Sequence, residues 1–224
     1  MTIKLEVSKA DLVFEAGFPK PEFGLFREGT RLLDQLYTRL EPHGLKLTDI
    51  RMERGNGSVG DQHLQLYLFN YLMTVRVRVE RVEITCSDLP QDLVDRFKAA
   101  IVDTLRAVKD YQRDLSFRAF VIAFGLHAKL EGMSARDFLV RFVTNTPGNL
   151  GASTGFGAAF YFGPHENRLL STITVDASAL VPDGLFVRIN TVWDPDRVAI
   201  DSLADVADSY TRQVLESLGL QLPA

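Results

Sequence analysis

The sequence predicts an α+β protein in which a mostly antiparallel sheet is covered on one face by amphipathic helices. Three observations carry that prediction. Several segments alternate apolar and polar residues with the period of two that belongs to strands. Others repeat apolar residues at helical spacing and end at proline or glycine. Finally, the two halves of the chain follow one plan, β-α-β-β-β(-β)-α. Arg31 and Pro42 of the first helical segment match Arg136 and Pro147 of the second at an offset of 105, with Leu33 and Tyr37 falling on Phe138 and Phe142. The closing helices agree in spacing, Val94, Phe97, Ile101 and Leu105 against Leu203, Val206, Tyr210 and Val214. Each unit would leave an apolar face for its sister to cover. The boundary falls near 110–116, giving units 1–112 and 113–224 packed together.

The elements follow in order. Ile3–Val7 and Asp11–Ala16 read as two short strands. Prolines 19 and 21 make the next segment a loop. Phe26, Leu32, Leu33, Leu36, Tyr37 and Leu40 form one helical face, which Pro42 and Gly44 end. Residues 47–54 and 63–70 read as strands. In Thr74–Glu80, the clearest strand, Val75, Val77 and Val79 point inward while Arg76 and Arg78 face solvent. Val82–Cys86 pairs beside it. Asp88 is the expected N-cap of a helix reaching Tyr111, with Pro90 early and Gln91 at the capping-box position.

In the second half, Leu115–Leu130 carries the continuously apolar run Ala119–Phe124, as a central strand does. Ser134 with Asp137 caps a short helix. Strands follow near 156–163, 168–176 and 185–193. Ser202 with Asp205 is the expected cap of a last helix to about Leu218. This element order resembles duplicated folds of the TATA-binding-protein type, and also helix-grip folds in which a curved sheet wraps a long helix. The resemblance concerns fold, and neither DNA binding nor lipid binding follows from it.

Composition narrows the function classes. Hydrophobic residues make up 46% and charged residues 24%, the balance of a globular chain. Net charge is −4 with both signs scattered, and the nearest basic run, Arg76, Arg78 and Arg81, is broken by Glu80 and Glu83. A basic stripe supplies most of a nonspecific nucleic-acid binder's affinity, so nucleic acid is disfavoured as a partner. The single cysteine, Cys86, excludes an intrachain disulfide and reads as an unreactive, half-buried thiol. Charges at the N-terminus argue against a signal peptide, and no stretch is apolar enough to span a membrane, so the expected location is the cytoplasm.

Motifs are weak. Gly55-Asn-Gly-Ser-Val-Gly60 spells G-x-G-x-x-G, but a strand follows where a dinucleotide site needs a helix. The stretch 147–157 is glycine-rich and is the candidate for a loop closing over a ligand, through Gly151 and Gly155. His43, His63, His127 and His165 show no metal-ligand spacing, and no serine lies in a nucleophile elbow. No metal, no cofactor and no catalytic residue is assigned. The leading expectation is a noncatalytic interaction protein that binds itself or another protein; enzymatic activity is left open and disfavoured. The alternative is a pocket for a small apolar ligand between sheet and helix, with Phe120, Phe124, His127, Phe160 and Phe162 as candidate lining. Arg76 and Arg78 are the candidate patch for an anion or acidic partner.

Overall fold

A computed structural model of the chain describes residues 2–53, 62–142 and 157–223. Strand β1 (Ile3–Gly17) leads through a 3₁₀ turn (Phe23–Phe26) to helix α1 (Gly29–Leu40). Strands β2 (Ile50–Glu53), β3 (His63–Leu68), β4 (Met73–Arg78) and β5 (Arg81–Cys86) form a meander that ends in helix α2 (Val94–Tyr111). Strand β6 (Ala119–Leu130) and the short helix α3 (Ala135–Val140) come next. Strands β7 (Gly157–Phe162), β8 (Arg168–Ala177) and β9 (Leu185–Trp193), helix α4 (Ile200–Ser217) and strand β10 (Leu220–Gln221) complete the chain.

Among the described residues one sheet of ten strands results, in the order β2-β3-β4-β5-β1-β6-β9-β8-β7, with β10 added beside β1. All neighbours are antiparallel except β1 and β10. The first and sixth strands thus lie at the centre, and meanders run outward from each. The α+β class, the antiparallel sheet and the helices on one face are as the sequence indicates.

β1 is one strand rather than two. Its pairing with β6 runs from Leu5↔Leu130 to Gly17↔Ala119 and shifts register between Val7 and Lys9. The extra residue, Ser8, is a β-bulge. It switches side-chain parity, so Ile3 and Leu5 before it and Phe14 and Ala16 after it are all buried on the same face. The same parity runs through the sheet: Leu64 and Leu66, Val75 and Val77, Val82 and Ile84, Phe120 and Leu126, Val187 and Ile189 all face the helices. On α1, Leu32, Leu36 and Leu40 complete this layer, and on α2 Phe97, Ile101, Leu105 and Val108 do so. Phe138 and Leu139 of α3 join Val214 and Leu215 of α4 over β8 and β9.

Two expected caps are different. Asp88 lies in left-handed backbone (φ 56°), and its N–H donates to the Asp11 carboxylate at 3.0 Å. A 3₁₀ turn, Gln91–Leu93, then precedes α2. α4 starts at Ile200 after Ala199, whose carbonyl accepts from the Ser202 hydroxyl, so Ser202 lies inside the helix. The Ser134 cap is as expected, accepting the Asp137 N–H at 3.0 Å. Cys86 is fully buried, not half-buried, and burial pushes its thiol up to about 12. Among the described residues no helix is long and apolar enough to cross a membrane.

Candidate functional site

Helices α2 and α4 cross the sheet side by side, but the layer between them is incomplete. α4 presents alanines, Ala204 and Ala207, where α2 presents Phe97 and Ile101. Small side chains opposite large ones hold the helices without filling the space above β1 and β6. A cavity of about 310 Å³ remains. Leu12 and Phe14 of β1 and Ile122 and Phe124 of β6 floor it; Phe97, Ile101, Leu203 and Ala207 wall it; Leu222 and Pro223, just beyond β10, close one side. Three phenylalanines and several aliphatic side chains make the lining apolar, as in sites that hold small organic molecules.

Gln91 and Thr211 add polar groups to the lining, and the charged groups gather at Lys98, Asp208 and Arg212. The Lys98 ammonium donates to Asp208 at 2.7 Å and to Asp205 at 3.4 Å, tying α2 to α4. Arg212 also reaches Asp208, at 3.3 Å. Partial burial works to lower the Lys98 pKa, but the hydrogen bonds and charges of Asp208 and Asp205 outweigh it and hold the group above its ordinary value. Further along the same seam Arg106 donates to Asp201 at 2.8 Å. The rim charges are therefore paired with each other before any ligand arrives.

The structure sorts the candidate residues. Phe124 lines the cavity. Phe120 lies deeper in the core, ring to ring with Phe14 and Phe117. Phe160 packs on Phe142, and Phe162 is exposed near the sheet's end. His127 sits on the opposite, open face of the sheet, stacked on Phe186 at 4.6 Å. Its Nδ1 is 2.8 Å from the Ser178 hydroxyl, whose oxygen already accepts the N–H groups of Leu180 and Val181. Ser178 is thus the cap of a turn. Gly151, Gly155 and the 55–60 glycine motif lie outside the described residues. Ala207, Leu203 and Ile101 were not among the sequence candidates. Their apolar spacing marks them only as inward-facing, and the void appears once the opposing helix is in place.

Arg76 and Arg78 share the open face with Arg81, and all three converge on Glu83, at 3.5, 3.8 and 3.6 Å. Arg81 is also matched by Glu15 and Glu80. Nearby, the Arg51 guanidinium lies over the Tyr67 ring, 5.4 Å from its centre. Among the described residues no cluster of three or more His, Cys, Asp or Glu is arranged to hold a metal ion.

No family model and no curated protein matches the chain. Among solved structures it is similar to a rolling circle replication initiator protein from Geobacillus stearothermophilus. That match has 10% identity and a TM-score of 0.41, covering 96% of this chain and 84% of the other. Two expectations from the sequence conflict with this neighbour's description and are not kept. One is the noncatalytic, self-associating interaction protein; the other is that nucleic acid is an unlikely partner, which rested on net charge and the lack of an unbroken basic run. At that identity and score the likeness assigns this chain neither an activity nor a ligand.

Proposed function

We propose that the protein binds a small, uncharged apolar molecule in the cavity between β1, β6, α2 and α4. The observation that carries this reading is the cavity itself: about 310 Å³ of space lined by Phe14, Phe97, Phe124 and aliphatic side chains. Well-packed interiors hold few voids larger than a water molecule, so a void of this size in a central layer is a feature to be explained. An uncharged ligand fits because Lys98 and Arg212 are matched by Asp205 and Asp208; a charged head would have to break those pairs.

The test is fluorescence titration with the neutral dye N-phenyl-1-naphthylamine. Saturable one-to-one binding that raises the melting temperature supports the reading, since a ligand of the native state stabilises it. Binding that never saturates, or leaves melting unchanged, rejects it.

The division into 1–112 and 113–224 as two copies of one unit is proposed on separate grounds. Outward from the central pair, β5, β4 and β3 on one side correspond in order to β9, β8 and β7 on the other. α2 and α4 both have 18 residues. Native-state hydrogen exchange tests the division: two opening units should meet near residues 110–116, and a single opening for β4 and β8 amides together would count against it.

A further inference from the structure

The turn between β3 and β4 is strained. Phe69, Asn70 and Tyr71 in succession have positive φ (53°, 55° and 70°). Left-handed backbone is disfavoured for bulky residues, and three together persist only where the surroundings enforce them. Phe69 has a local reason, since its ring packs edge-on against Phe97 at 4.6 Å. Tyr71 has none in the core: it is 61% exposed, and the turn sets its ring 4.8 Å from that of Tyr67, on the open face of the sheet. Backbone strain here goes into displaying an aromatic ring.

Cations flank that ring pair in a row fixed by the sheet. Arg51 lies over Tyr67, and no carboxylate pairs with it among the described residues. Along β4 from Thr74, the cross-strand neighbour of Tyr67, come Arg76 and then Arg78, each step of two residues being about 7 Å. Arg76 and Arg78 have one carboxylate, Glu83, to share between them and with Arg81. Two aromatic rings are therefore followed by a row of guanidiniums: Arg76, Arg78 and Arg81 against Glu15, Glu80 and Glu83, with Arg51 as the one extra cation among the described residues. Aromatic rings accept a base of any sequence by stacking, and guanidinium groups accept phosphate. The row is longer than one nucleotide, and an acidic peptide would leave the exposed Tyr71 ring unused. We propose that the open face of β2, β3 and β4 binds single-stranded nucleic acid, with bases stacked on Tyr71 and Tyr67 and phosphates on Arg51, Arg76 and Arg78.

This site lies on the face of the sheet opposite the cavity and is independent of it. The experiment is fluorescence anisotropy of the intact protein with a short labelled oligothymidylate across a salt series. Saturable binding is expected, weakening with log salt at a slope of about −0.7 for one neutralised phosphate. Tyr71→Ala should lower affinity about fivefold to a hundredfold, since one stacked base is worth about 1–3 kcal/mol. Tyr71→Phe should retain it, and Arg76→Gln should flatten the slope. Because Tyr71 is exposed, melting temperature should stay at the parent value, and Ala207→Leu in the cavity should leave this binding unchanged. The proposal fails if nothing saturable is seen at the lowest salt or if Tyr71→Ala binds as the parent does. It also fails if polyglutamate, or thymidine monophosphate at equal nucleotide concentration, displaces the oligonucleotide equally well.

Discussion

Filling the cavity should make the protein more stable and less able to bind its apolar ligand. Ala207 is the position of choice: it lines the cavity, is 8% exposed and sits inside α4, where Leu is as acceptable to the helix as Ala. Ala207→Leu adds three carbons to a space of about 310 Å³, which can accept them without moving the backbone. At about 0.8 kcal/mol per buried CH₂, three carbons set a ceiling of about 2.4 kcal/mol, and incomplete burial brings the expected gain to about 2 kcal/mol. For a chain of this size each kcal/mol moves Tm by about 2–4 °C, so a rise of up to about 8 °C is expected. Calorimetric melting of both proteins measures it, and the naphthylamine dye, titrated in parallel, should bind at least tenfold more weakly to the variant. The control is Ala107→Leu on α2, a fully buried position away from the cavity, where the same three carbons should cost about 1–3 kcal/mol through overpacking. If Ala207→Leu melts lower, as Ala107→Leu should, the space is not there and the functional reading goes with it.

Three other outcomes are expected. Val77→Asp places an unpaired carboxylate where the side chain is wholly buried, and should unfold the protein at a cost of several kcal/mol; an unchanged circular-dichroism melt would show the faces of β4 reversed. Cys86 makes stability fall in alkali. Its folded pKa is raised from 9.0 to about 12, so the contribution is complete below pH 9 and is lost as pH rises toward 12, by about 1.4 kcal/mol per pH unit. Denaturant melts of Cys86→Ala should lose that part of the slope, and an identical slope would exclude the thiol as its source. Lys98→Met should cost about 1 kcal/mol or less, because the pair is partly solvated, and the difference should shrink in high salt; a salt-independent loss would point to packing instead.

Local rules carried much of the fold. Val75, Val77 and Val79 all point inward as their alternation requires, α2 ends at Tyr111, and Ser134 caps α3 through the Asp137 N–H. Misreadings arose where a distant partner decides. The apolar parity of Ile3 and Leu5 is opposite to that of Phe14 and Ala16, which in one dimension separates two strands. In the sheet a bulge at Ser8 absorbs the switch, and the whole of β6 holds the strand together. Asp88 has the residue type of an N-cap, but its backbone N–H is taken by Asp11, 77 residues earlier. The site was less legible still. Phe124 was within reach as an apolar residue of a central strand, while Ala204 and Ala207 matter for volume they do not occupy. Tyr71 gave no signal, because a left-handed tyrosine follows from how β3 and β4 must be joined and not from its neighbours in sequence.

The position of β1 has a consequence for how the chain is made. β1 is made about a hundred residues before β6 yet lies in the middle of the finished sheet, and its longest ladder waits for residues 119–130. At about 5–20 residues per second, a ribosome needs roughly 5–20 s to make the intervening hundred residues. Through that interval the β3–β4–β5 hairpins can zip by local contacts, and β5 offers β1 only one of its two edges. The other edge, bearing Leu12, Phe14 and Ala16, stays open until β6 arrives. Slowing synthesis just before residue 119 should therefore lengthen the window for aggregation, whereas a pause once β6 has left the ribosome should not.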